Sequence, residues 1–95
     1  MVKMGKILAK GTVKKIVLGF RPRAVEVVNE TGLVTAFKSD TMDGSKGAKR
    51  VTNGTMTFPT DLITIESDGF TIGTDADLNA AGEALHYVAW QARNE

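Results

Sequence analysis

Apolar and polar positions along this chain alternate in short bursts separated by glycine-rich punctuation. Ile7, Leu8, Val13, Ile16, Val17 and Leu18 form an imperfect alternation that Gly11 breaks in two. Lys14 and Lys15 interrupt it, which suits a strand with one wet face or a guarded edge strand. Gly19-Phe20-Arg21-Pro22 ends the run, because proline cannot donate to a sheet ladder. Ala24 to Val28 is the next β-rich run, closed by turn chemistry at Asn29-Glu30-Thr31-Gly32, and Leu33 to Lys38 follows. A period of two places Val25 with Val27 on one face, and Leu33, Thr35 and Phe37 together on one face of the following strand.

The stretch from Asp61 to Trp90 organises the rest. Leu62, Ile63 and Ile65 make a short β-branched run, Ser67-Asp68-Gly69 follows, and Phe70, Thr71 and Ile72 return the chain. Asp-Gly between apolar runs predicts a hairpin with a type I′ turn, whose central residues need positive φ. Residues 73–82 are small and polar, and Asn79 and Gly82 disfavour a helix there. Ala84 to Gln91 is the last strand. Its alternation sets Leu85, Tyr87 and Ala89 on one face and His86, Val88 and Trp90 on the other. Both faces are largely apolar, so one belongs to the core and the other to the core or to a subunit interface. Seven or so short strands with turn signals between them predict an all-β chain, a small antiparallel β-sandwich or barrel.

One stretch departs from this rhythm. Residues 39–60 are rich in Gly, Ser, Thr, Asp and Lys, with Met42, Val51, Met56 and Phe58 as the apolar anchors. Long polar loops are uncommon in compact domains. A projecting loop or hairpin is expected, with a short strand near Thr55–Phe58, either mobile on the surface or ordered against another subunit. Residues 1–6 read as a basic N-terminal arm, frayed or docked on a neighbour.

The 95 residues make one domain, with room for only a modest core. There is no cysteine, which excludes disulfides and thiolate metal sites. No run is long enough to span a bilayer and the start lacks a signal-peptide core, so neither membrane nor secretion is expected. The net charge of +1 argues against a dedicated nucleic-acid binder. That charge is segregated, however. Residues 1–23 carry seven basic residues and no acid, whereas residues 62–95 carry six acids against Arg93. Either the two ends pair within one fold, or one copy's basic end meets another's acidic end.

Catalytic motifs are absent. Asp75-Ala-Asp77-Leu-Asn79 resembles the start of a calcium loop, but the sixth and twelfth positions, which need Gly and Glu, hold Ala80 and His86. The stretch reads instead as a turn whose side chains bond their own backbone. Gly44-Ser45-Lys46-Gly47 lacks the helix that a phosphate loop requires. His86 has no second histidine or cysteine to share a metal with. No cofactor motif appears. The candidates for partner binding are Lys3 and Lys6 of the arm and Lys46, Lys49 and Arg50 of the loop. Those for an oligomer interface or core are His86, Val88 and Trp90. Trp90 or Tyr87 beside Asp75, Asp77 or Asn79 would suit a carbohydrate platform.

Asp68-Gly-Phe70-Thr-Ile72-Gly73, then Asn79, Gly82 and His86-Tyr87-Val88-Ala89-Trp90, resembles a pattern of small β-domains from tailed-phage virions and prophages. In those domains a DGFxVG hairpin is followed by an N-x-x-G turn and a strand ending in an aromatic. Gly19-Phe20-Arg21-Pro22 before Val25, Val27 and Val28 is similar to their GFxP step into a strand. The resemblance implies a non-enzymatic structural protein of the virion, assembled in a bacterial host's cytoplasm. It would be a head decoration (cement) protein or a tail or fibre component, the latter with a carbohydrate- or receptor-binding face. Its partners would be other copies of itself, a trimer being favoured, and a major capsid or tail protein. The small, cysteine-free, charge-segregated chain suits repeated assembly, in which many modest contacts act together.

Overall fold

The computed structural model describes residues 1–91 and, within them, nine strands and no helix. Arg93 and Glu95 of the charge count lie outside that span. The strands are β1 (Val2–Leu8), β2 (Lys14–Val17), β3 (Pro22–Asn29), β4 (Val34–Ser39), β5 (Ala48–Arg50), β6 (Met56–Thr57), β7 (Ile63–Glu66), β8 (Gly69–Ile72) and β9 (Ala84–Gln91). They form two antiparallel sheets, ordered β1-β9-β3-β4-β5-β6 and β2-β8-β7. The sheets pack together without closing on each other, so of the two expected architectures the sandwich fits and the barrel does not.

The central strands β3 and β4 bury alternate residues, whereas β1 and β6 bury none. β3 and β9 send Val25, Val27, Leu85 and Ala89 inward. The small sheet answers with Ile63, Phe70 and Ile72, and Leu62 and Leu78 close the ends from the connections. A fully buried side chain of this kind contributes about 1.5–3 kcal/mol. Tyr87 lies edge-on to Phe70, ring centroids 5.4 Å apart at 69°. Its ring also covers Gly5, directly opposite on β1, where an added Cβ would come within 2.6 Å of it.

Three sequence expectations are revised. First, residues 1–6 are not a free arm: β1 pairs with β9 over its whole length, from Val2 opposite Trp90 to Leu8 opposite Ala84. β9 would otherwise present a long open edge, and the apolar residues of β1 complete its rows. The basic start of the chain and its last described strand are thus neighbours in one sheet, and Lys15 lies 3.1 Å from Asp68. The oppositely charged ends meet within one fold.

Second, β7 and β8 form the expected hairpin with Ser67-Asp68 as its loop, but neither these residues nor Gly69 has positive φ, so the turn is not type I′. Gly69 is required for a different reason. Its neighbour in the sheet, β2, lies so close that a Cβ there would sit 1.9 Å from the Ile16 carbonyl oxygen. Gly73 is similar, with a Cβ position 2.1 Å from the Asp61 carbonyl oxygen.

Third, residues 39–60 are a sheet extension rather than one projecting loop, although the expected hairpin and the short strand near 55–58 are present as the antiparallel pair β5–β6. They contain β5 and β6, which extend the large sheet beyond β4. The connection before β5 is held down from below, where Leu62 N donates to the Ser45 carbonyl at 3.0 Å and Asp61 N to Ser45 Oγ at 2.9 Å.

Candidate functional site

The two faces of the six-stranded sheet carry different chemistry. Inward, next to the core, β4 buries Lys38 to 1% exposure. Its ammonium donates to the carbonyl oxygens of Lys46 (2.6 Å), Gly44 (2.8 Å), Met42 (2.9 Å) and, at longer range, Asp43 (3.3 Å). Three N–H bonds shared among four acceptors leave no donor idle. Burial holds its pKa below the ordinary lysine value, with the Asp43 charge opposing in part. Residues 42–46 are therefore folded around a cation supplied by the neighbouring strand.

Lys49, inward on β5, is treated differently. It bonds both carboxylate oxygens of Asp75 (2.9 and 3.1 Å) and Asp77 Oδ2 (2.8 Å). Burial disfavours its charge, but the bonds to Asp77 and Asp75 outweigh this and hold the pKa above the ordinary value. Asp75 Oδ1 also accepts from the backbone N of Asp77 (3.0 Å) and Leu78 (3.1 Å), as the sequence suggests for this aspartate, whereas the Asp77 and Asn79 side chains bond groups outside the turn. Asn79, 2% exposed, donates to Thr12 O (2.7 Å) and Gly73 O (2.8 Å) and accepts from Gly11 N (3.2 Å). These polar groups are spent on holding the fold.

Outward, the same strands present an uncovered and largely apolar face. The cross-strand register, which puts directly opposite residues on one face, defines its rows. One row runs Val2, Trp90, Ala24. The next runs Met4, Val88, Glu26, Phe37, Ala48, and a third Lys6, His86, Val28, Thr35, Arg50, Met56. Met4 is 74% exposed, and Val2, Trp90, Phe37 and Met56 are exposed with it. Glu26, Phe37, Arg50 and Met56 border a shallow cleft of about 210 Å³. Among the described residues, Glu26 and Arg50 have no ion-pair partner. His86 Nε2 lies 2.6 Å from Glu30 Oε1, and this contact, with the His86 charge, holds the Glu30 carboxyl below its usual range.

The residues singled out from sequence divide between these faces. Lys6, Arg50, His86, Val88 and Trp90 all lie on the outer face, so Trp90 is not core. Lys46 is exposed on the connection that encloses the inward Lys38, while Lys3 donates to the Leu18 carbonyl at 2.7 Å. Lys49 is withdrawn from any docking role, because its ammonium is buried against two carboxylates. Asp75 and Asp77 pair with this inward lysine and Asn79 is buried, whereas Trp90 points outward, so the structure does not bring them together as a carbohydrate platform. Phe37, Glu26, Met4 and Met56 escaped the sequence reading. The signal for the first two is the alternation itself: with Val25 and Val27 inward, Glu26 and its cross-strand neighbour Phe37 must face out. Among the described residues, no group of three His, Asp or Glu side chains is arranged to hold a metal ion.

Comparison of the chain with protein-family models, with curated proteins and with solved structures finds no match.

Proposed function

We propose that this chain is a non-enzymatic structural protein of a tailed-phage-type particle, a head decoration protein in the first place, acting through the outer face of its six-stranded sheet. One observation carries the assembly reading. Val2 and Met4 of β1, Trp90 of β9 and Phe37 of β4 are exposed on one face, with β3 between the last two, while the polar groups of the opposite face are internally satisfied. Contiguous exposed apolar patches on small domains mark surfaces that meet another macromolecule. The kind of particle comes from the sequence resemblance; the mode of attachment comes from the sheet. A decoration protein needs only a rigid scaffold and a sticky face, because a lattice multiplies weak contacts.

The test is co-sedimentation of the purified chain with undecorated tailed-phage heads and, separately, with tails. Binding to heads at a fixed copy number, with greater resistance of the particle to heat, is the expected result. Binding to tails alone moves the chain to the tail, and binding to neither removes the reading.

A further inference from the structure

We propose that the outer face of the six-stranded sheet is a twofold contact between two copies of this chain, in which Glu26 of each copy pairs with Arg50 of the other across two facing Phe37 rings. This deepens the assembly reading above and rests on it. An isologous contact differs from the threefold arrangement that the resemblance favours.

The argument begins with charge. Glu26 and Arg50 are exposed and oppositely charged, neither has an ion-pair partner among the described residues, and both line the same cleft. β3 and β5 are separated by β4, and Glu26 and Arg50 differ by one row, so their Cα atoms are about 12 Å apart on ordinary sheet spacings. Phe37 stands between them, directly opposite Glu26 on β4 and in the row beside Arg50. An axis lying in the face and passing over Phe37 exchanges the two positions. Both ion pairs then form at once, as self-complementary twofold contacts require. The acid sits inside an apolar row, between Val88 and Phe37. Covering that row with an uncharged apolar partner would strand the carboxylate without compensation. A second copy brings the guanidinium that compensates it.

Area sets the strength. Six strands at about 4.8 Å spacing make a face roughly 24 Å wide, or about 500–600 Å² per copy. The pair would bury on the order of 1,000–1,200 Å², at the lower limit for specific complexes and in the range of weak, transient contacts. That suits a contact meant to act in numbers.

Sedimentation equilibrium on the full chain tests this, using Glu26→Arg, Arg50→Glu and the double reversal, with circular dichroism to show that each is folded. Each single reversal should weaken self-association about tenfold or more, and the double should return it to within about threefold of the parent. Added salt should weaken the parent pair as well. A parent chain that stays monomeric at about 300 µM overturns the twofold contact. So do single reversals that associate as the parent does, or a double reversal no better than the singles. In any of these cases, binding of the parent to phage heads would leave the decoration reading standing.

Discussion

β5 places Lys49 and Arg50 side by side in sequence and on opposite faces of the same sheet. Lys49 is buried against Asp75 and Asp77; Arg50 is exposed and has no ion-pair partner among the described residues. β4 repeats the contrast with Phe37 and Lys38. There the lysine goes in and the aromatic goes out, the reverse of what hydropathy alone would choose. The difference teaches that hydrophobicity does not by itself decide which residues the fold encloses. A cation can be interior where fixed oxygens satisfy it, as four carbonyls do for Lys38. The apolar groups left outside are then the ones without an internal explanation, and the proposed contact between copies is offered to account for them.

Breaking the inner arrangement should have the largest effect. Lys49→Met leaves Asp75 buried without its counter-charge and should lower stability by about 3–5 kcal/mol in urea unfolding. Lys38→Met comes next. It leaves carbonyls of residues 42–46 without a donor, at a cost of about 1–3 kcal/mol. Its effect should also be local, seen as faster hydrogen exchange over 40–47 while β3 and β9 keep their protection.

Alkaline titration sharpens the contrast between the two lysines by smaller changes of opposite sign. Lys49 holds its proton more tightly folded than unfolded. Its contribution is complete below the ordinary lysine value of 10.5 and is lost as pH rises through the higher folded value. Lys38 releases its proton earlier in the folded chain, so between its lowered pKa and 10.5 stability should rise with pH. Urea midpoints followed into the alkaline range should show the rise before the fall, and Lys38→Met should keep only the fall.

Much of this architecture is legible in the sequence. The last strand, its two faces, the Asp-Gly hairpin and the self-bonded Asp75 turn all follow from local pattern and turn chemistry. What is not legible depends on distant partners. Nothing around Lys49 announces carboxylates 26 and 28 residues away. The Lys38 cage is made of backbone, which has no sequence signature. Gly69 carries a turn signal, yet it is needed because the paired strand β2 leaves no room for a Cβ. The N-terminal residues read as an arm because β1 has short apolar content of its own, and only the open edge of β9 makes it a strand. The candidate site was half visible for the same reason. Trp90 stands out by its rarity, whereas Phe37 and Glu26 are recognisable only once the inward direction of β3 and β4 is known.

The smallest expected effect is on the outer face. Phe37→Ser and Trp90→Ser remove side chains that are each 38% exposed and that, unlike the lysine ammoniums, leave no buried polar group behind. At low protein concentration each should lower stability by about 1–2 kcal/mol, from the covered part of the ring, below the cost of Lys49→Met. Their effect should appear instead with concentration. If copies associate through this face, the midpoint of thermal unfolding of the parent rises as the chain is concentrated, by mass action. In Phe37→Ser that rise should flatten, because the ring lies at the centre of the contact, and in Trp90→Ser it should flatten less, because Trp90 lies nearer the β1 edge. A Phe37→Ser variant as destabilised at low concentration as Lys49→Met would place Phe37 among the residues that hold the monomer together. The two faces would then serve one purpose, and the outer one would need no partner to account for it.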